Sequence, residues 1–544
     1  MIRFYTTILI CITISGNARA QSLDTAKQLI YHERFGSAVT VLHDFLKSDP
    51  GNGTAWYLLA RAYIGAGTQA VFNDTLQLAP EGVKDQPLIK SVLGHILLIR
   101  GDSLAAKAEF NHALKNSKMK DPGVLAEIAS AHIATKDGNA VYALELLQKA
   151  IKKDKHSPAL YVLTGDAYRK LMDGGNAYKA YQEALAKDKT YAEADYKIGK
   201  IYTSQKNAGQ YLPSFEKAVA ADPQYAPALY ELYYHYYFTN LNLAKGYLTK
   251  YIQTSDYNIK NDYLVTDMLY ATGKFSEAIA MADALIKKEG KAVQPRLYKL
   301  EAYSYKEQGD SLAAVRFMNS YFALQPDSGI IAKDYEAMGN MYASLPGKED
   351  SAAYFLAKGA DLEQDTVIKS NYYKQIAALY KKQKDYANES VWLGKYYSSK
   401  PGASNVDLFN WGLSSYLAKD YPTADTVFAM YEIKYPAEEF GPYWRARTNA
   451  AIDTAMVMGI AVPHYMNLIT LIEKDSLNST AKKHLIEAYG YIAAYKANAE
   501  KDYETAVSYF EKLLTLDPEN GDAKKYIDIL KKNMVKNNDA GNSR

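Results

Sequence analysis

Along this chain a small residue is followed four places later by a ring or a large apolar side chain, and three places after that by another small or apolar one. Ala38, Leu42 and Phe45 form such a triplet; Ala106, Phe110 and Ala113 repeat it, as do Ala177, Tyr181 and Ala184. Ala314, Met318 and Tyr321, then Ala424, Phe428 and Tyr431, then Ala506, Phe510 and Leu513 carry it to the far end. Steps of four and three put all three residues on one face, so each triplet predicts a helix with a buried stripe. A second helix is predicted ahead of each triplet, marked by a small residue and a ring or apolar residue three places on. Examples are Ala60 and Tyr63, Gly94 and Leu97, Gly165 and Tyr168, Gly199 and Tyr202, Ala302 and Tyr305, Gly339 and Tyr342, and Ala377 and Tyr380. The small member lets a neighbouring backbone come close while the larger one fills the adjacent groove. Gly101-Asp102, Asp173-Gly174-Gly175, Gly309-Asp310, Lys384-Asp385 and Lys419-Asp420 supply the short turns between the two helices. Pro50, Pro223, Pro326, Pro401, Pro436 and Pro518 each follow a triplet's start by twelve residues or close to it, and stop the second helix. Their intervals lie near multiples of 34, with small insertions before Pro401 and Pro518, which predicts an all-α solenoid of stacked antiparallel helix pairs.

With Trp56, Leu59, Ala60 and Tyr63 in one unit, this pattern resembles the tetratricopeptide repeat family over nearly all of residues 21–520. The resemblance implies a right-handed superhelix of about thirteen repeats serving as a binding scaffold. Trp56, Gly94, Gly165, Ala177, Gly199, Ala314, Ala424 and Ala506 are its signature positions. Residues 521–544, with Lys524, Lys525, Lys531 and Lys532, read as a polar capping helix and tail. The unit near Thr54 is short in its second helix, an insertion around Leu345-Pro346-Gly347-Lys348 marks a candidate bend at 329–369, and 437–480 keeps little of the signature. Another insertion lengthens the helix after Tyr491.

Residues 1–20 stand outside the repeat. Arg3, the apolar run Phe4–Ser15 and Ala18-Arg19-Ala20 before Gln21 have the layout of a secretory signal peptide, so export to the periplasm is expected. Cys11, the only cysteine, falls inside it, and Ile10 before it does not suit a lipid-anchor site. The chain beyond residue 20 therefore has no disulfide, Cys-ligated metal or thiol chemistry. The 64 basic and 61 acidic side chains nearly cancel, unlike the basic excess of a nucleic-acid binder, and no later stretch is apolar for long enough to span a membrane.

No catalytic, metal or cofactor motif emerges. The nine histidines have no close ligand spacing. Gly273-Lys274 lacks the glycine and hydroxyl of a phosphate loop, since Met268 and Phe275 stand there. Arg100-Gly101-Asp102 falls at an inter-helix turn. Tyrosine is the unusual residue, with 49 against 15 Phe and four Trp, and it suits half-exposed groove walls. By the repeat register Leu229, Leu232 and Tyr236 face the core, while Tyr230, Tyr234 and Tyr237 form a separate stripe. Its counterparts are Arg169, Tyr196 and Lys200 in earlier units and Lys299, Tyr303 and Lys374 in later ones, with Tyr57, Arg61 and His95 near the start. In the tetratricopeptide family that stripe lines the concave groove, so these residues are the candidate partner site for an acidic or C-terminal peptide, or for a glycan. The alternative is that the rings pack a tightly wound superhelix. The family's Lys/Asn clamp is not assembled: Lys299 and Lys374 occupy the lysine position, but Asn340 alone supplies the asparagine, in another unit. Tyr233 replaces a small residue and is expected to force its neighbours apart. The reading is a non-enzymatic adaptor of the bacterial cell envelope binding a protein partner; a glycan- or nutrient-binding protein of the outer membrane is the alternative.

Overall fold

The computed structural model describes residues 21–473 and 478–541, so the signal-like segment 1–20 lies outside the described residues. Every regular element among them is helical. The chain divides into two compact units at Met281/Ala282, inside the helix Phe275–Glu289.

The first unit starts with a helix over residues 21–31, packed beside Phe35–Ser48. Six further pairs follow, from Gly53–Gly65 with Gln69–Leu76 to Ala226–Tyr237 with Leu241–Thr254, and then Ile259–Ala271. The second unit holds six pairs, from Arg296–Glu307 with Ser311–Leu324 to Ser479–Tyr495 with Tyr503–Leu516, and the closing helix Gly521–Gly541. With Ile259–Ala271 and Phe275–Glu289 they make fourteen pairs among the described residues, in keeping with the expected thirteen or so.

Local chemistry sets the ends of each pair. Gly101, Met172, Gly309, Lys384, Lys419 and Lys501 all have positive φ, the left-handed residue that ends a helix and reverses the chain. The next residue is aspartate every time, and Asp102, Asp173, Asp310, Asp385, Asp420 and Asp502 each accept the backbone N–H three residues on. The Arg100-Gly101-Asp102 tripeptide is one of these turns. The closing prolines come two residues after helices ending at Ser48, Ala221, Leu324, Ser399, Lys434 and Leu516.

In four of the pairs the core is a ring seated on a missing side chain. A Cβ at Gly94, Gly165, Gly199 or Gly412 would meet Phe110, Tyr181, Phe215 or Phe428 at 2.4, 2.3, 2.5 and 2.8 Å, the ring always sixteen residues further on. Ala177, Ala314, Ala424 and Ala506 are fully buried on the second helices, and Trp56 donates its indole N–H to the Pro50 carbonyl at 2.8 Å. Tyr233 corrects one expectation. Its helix runs unbroken over Ala226–Tyr237, and the ring is buried with Ala244, Leu248 and Met268. The residue sixteen further on is the exposed Thr249, so the first helix supplies the ring that the second elsewhere provides.

The irregular units have local causes. Gln69–Leu76 is only eight residues and passes into the single turn Glu81–Lys84. In the 437–480 region, buried Asp453 accepts the backbone N–H groups of Val457, Met458 and Gly459 at 2.7–2.9 Å and shapes the loop before Val462–Ile472. The insertion after Tyr491 becomes a π-helical turn, Lys496–Glu500. The last helix is less polar than expected: Ala523, Ile527 and Leu530 bury against Phe510 and Leu513, while Lys524, Lys525, Lys531 and Lys532 face outward.

Candidate functional site

Several cations of the stripe and beside it are held by ion pairs. Each sits on a first helix and meets a carboxylate on another first helix. In the first unit Lys197 bonds Asp166 at 2.8 Å and Lys200 bonds Glu231 at 2.6 Å. Tyr57, Arg61 and His95 converge on the buried Glu127 at 2.9, 3.2 and 2.6 Å, and Arg61 also reaches Ser130. Burial opposes the charge on Glu127, but Arg61 and His95 outweigh it and hold the carboxyl below its ordinary range. In the second unit Lys299 bonds Asp334 at 2.9 Å and lies over the Tyr321 ring, whose hydroxyl donates to the same carboxylate.

The candidate residues thus separate by environment. Lys200 and Lys299 are paired cations rather than free ones. Arg169 sits against the Tyr181 hydroxyl, Tyr196 packs on Phe215 and Tyr225, and Tyr303 is half-buried against the Ala302–Ala314 core. Tyr237 packs on Tyr233 and donates to the Asp267 carbonyl at 3.4 Å. Tyr236, expected in the core, is half-buried and stacks on Tyr247. Only Tyr230 and Tyr234 of the stripe present substantial ring surface, 36% and 57% exposed, and Phe238 beside them is 70% exposed. Phe238 went unnoticed in the sequence because it lies just past the helix end, outside the repeat register.

A further relationship was not visible in the periodicity. The N-terminal segment crosses the first unit to meet units far along the chain. Tyr31 packs on Tyr191 and Tyr225, with ring centroids 5.4 and 5.3 Å away, and its oxygen accepts the Glu193 backbone N–H at 3.1 Å. His32 bonds Asp222 at 2.6 Å, and Asp256 takes Arg34 at 3.4 Å and the Ser37 backbone N–H at 2.9 Å. Burial pushes the phenols of Tyr31, Tyr191 and Tyr225 up.

The second unit has its own polar cluster, in the region of lost signature. Tyr443 and Tyr465 both donate to Glu487 at 3.0 Å, Arg447 reaches it at 3.3 Å, and His484 stacks on Tyr443 at 3.7 Å. Burial first and Glu487 second push the Tyr443 phenol up to about 12. The Phe440–Trp444 string was its only sequence signal. No group of three or more metal-ligating side chains occurs among the described residues.

Residues 23–79 and 496–520 match family profiles described as tetratricopeptide repeat. The chain thus carries tetratricopeptide repeats near both ends of its helical array. Solved structures similar to the repeat array include the C-terminal part of a TPR repeat-containing protein from Cytophaga hutchinsonii, 24% identical over 49% of this chain and 99% of that one, with a TM-score of 0.30. A tetratricopeptide repeat protein from Parabacteroides merdae is 14% identical over 52% and 95%, TM-score 0.23. The Cut9-Hcn1 hetero-tetramer structure matches at 13% identity over 95% and 98%, TM-score 0.25. At these scores none of them says what the repeats here bind. No curated protein matches the chain. Among the described residues no helix is long and apolar enough to cross a membrane. Repeat arrays of this kind are protein-binding scaffolds, generally without enzymatic activity.

Proposed function

We propose that this protein is a non-enzymatic adaptor of the bacterial cell envelope, exported under the direction of residues 1–20 and docking a partner protein through the exposed rings of the helix Ala226–Tyr237. The observation that carries the docking site is the contrast along one stripe: Tyr230 and Tyr234, continued by Phe238, are open, while Lys200 and Lys299 are held by carboxylates. Such rings give a partner contact area at low entropic cost, with a hydroxyl for orientation. The site therefore favours an aromatic or aliphatic anchor over a purely acidic peptide. Export rests on the pattern of Arg3, Phe4–Ser15 and Ala18-Arg19-Ala20.

The test is affinity capture from gently solubilised envelopes, comparing the parent with Tyr230→Ser/Tyr234→Ser. A stoichiometric protein lost with the two rings supports the adaptor reading. The same rings could stack on sugars, so retention on immobilised polysaccharide without any protein partner would favour a glycan-binding role instead.

A further inference from the structure

The first inter-helix turn inverts the charge pattern of the later ones. Lys384-Asp385, Lys419-Asp420 and Lys501-Asp502 put a cation at the end of one helix and an anion at the start of the next, as helix dipoles favour. Here the turn reads Glu33-Arg34. Glu33 takes the left-handed conformation, with φ +59°, at the negative end of its helix, and Arg34 makes no side-chain cap. Both local preferences are given up, and tertiary contacts must account for it. Arg34 goes to Asp256, and Glu33, itself exposed, is among the residues lining a cavity of the unit.

Glu33 lines a cavity of about 430 Å³ together with Glu193, Tyr31, Tyr191, Tyr225 and His95. Lys27 and Arg61 also line the cavity, but each is paired with another carboxylate, Lys27 with Asp24 and Arg61 with Glu127, and Lys197 is paired with Asp166. Among the described residues no cation lies within ion-pair distance of Glu33 or Glu193, and Glu193 accepts only a long 3.3 Å bond from Tyr191. His95 adds an independent sign. It is 1% exposed, its Nδ1 bonds Glu127, and its Nε2 has no partner. With the proton on Nδ1, the neutral ring offers Nε2 as a bare acceptor. Two carboxylates without an ion-pair partner and the unpartnered His95 Nε2 thus share a space lined by phenol rings, an arrangement suited to a donor carrying positive charge. Burial pushes the carboxyls of both Glu33 and Glu193 up, and the more distant Lys197 opposes it without prevailing.

From this arrangement we infer that the cavity binds an organic cation, an ammonium or guanidinium group carried either by a small free amine or by a basic side chain. The carboxylates supply charge, His95 Nε2 accepts a hydrogen bond, and the Tyr faces suit a desolvated cation. The inference goes beyond the adaptor reading and concerns a different surface.

The test is calorimetric titration of the whole protein with agmatine, and separately with the tripeptides Gly-Arg-Gly and Gly-citrulline-Gly. The expected result is binding by agmatine, by the arginine peptide or by both, with the uncharged citrulline peptide weaker by at least about tenfold. Glu33→Gln/Glu193→Gln should weaken the cation by at least as much while leaving the helical circular dichroism intact. Binding by agmatine assigns a small free amine, and binding by the arginine peptide alone assigns a basic side chain. The inference is overturned if neither cation binds at millimolar concentration, if citrulline binds as well as arginine, or if a folded double variant binds like the parent. Should the double variant not fold, the arginine-to-citrulline ratio on the parent protein decides.

Discussion

His32 and Asp222 are 190 residues apart in the sequence, and their side chains meet at 2.6 Å. In a simple repeat array each unit touches only its neighbours, so stability is a sum of local terms. The His32–Asp222 link, with Arg34 and Ser37 on Asp256, instead ties the first helix pair to units well along the chain. Burial works against the Asp256 carboxylate, but the Ser37 and Arg34 bonds prevail and hold its pKa below the ordinary value. A carboxyl depressed in the fold contributes stability above its unfolded pKa of about 4, and that stability is lost as pH falls through the folded value.

Asp256→Asn should therefore cost about 1–3 kcal/mol at neutral pH, and the gap to the parent should narrow on acidification below about pH 4. Hydrogen exchange would place the effect: amides of 27–37 should lose protection while those of the Gly165–Tyr181 pair keep theirs. Uniform loss across the first unit would mean that the clasp does not act as a separate element.

The ring-on-glycine contact makes a sharper stability prediction. Gly165→Ala puts a Cβ 2.3 Å from the Tyr181 ring, and Ala177→Leu overfills a fully buried position on the partner helix. Each should lower stability by about 1–3 kcal/mol in denaturant titration. The same change at Gly174, where a Cβ meets nothing within 4 Å, should have little effect and serves as the control.

The three tyrosines of the helix Ala226–Tyr237 should part company. Tyr230→Ser/Tyr234→Ser should lower the melting temperature only slightly: Tyr234 is 57% exposed, and Tyr230, though its ring touches Tyr233 and Tyr251, is 36% exposed. Tyr237→Ser removes a ring packed on Tyr233 and a bond to the Asp267 carbonyl, and should cost about 1–2 kcal/mol. Equal losses from both variants would show that the exposed pair is structural.

What the sequence disclosed follows from which forces repeat. Gly94, Gly165 and Gly199 could be read because each ring-on-glycine contact lies within one unit at a fixed spacing. The same holds for the aspartates that start the second helices. Lys200–Glu231 and Lys299–Asp334 link neighbouring units, and only the cation was picked out, because a carboxylate on a helix face looks like ordinary surface. Tyr31, His32 and Glu33 were invisible as site residues: their partners lie far along the chain, where the period carries no information. Glu33-Arg34 was nevertheless a written clue, since it reverses the Lys-Asp order of later turns.

Glu301 supplies a pH dependence of the opposite sign to Asp256. It is fully buried in the second unit, and burial first and the neighbouring Asp283 second push its pKa up to about 8, Arg316 opposing them. At pH 7 Glu301 is therefore mostly protonated in the fold and able to donate to Asp283, whereas in the unfolded chain it ionises above about pH 4. Unfolding releases that proton, so stability should decline as pH rises from about 4 to about 8 and level off beyond. Glu301→Gln keeps a donor toward Asp283 and removes the titration. The variant should match the parent near pH 4 and exceed it by about 2–4 kcal/mol above pH 8, read as diverging melting temperatures across that window. Parallel curves for the two proteins would show that Glu301 is ionised in the fold, and that Asp283 and Glu301 do not share a proton.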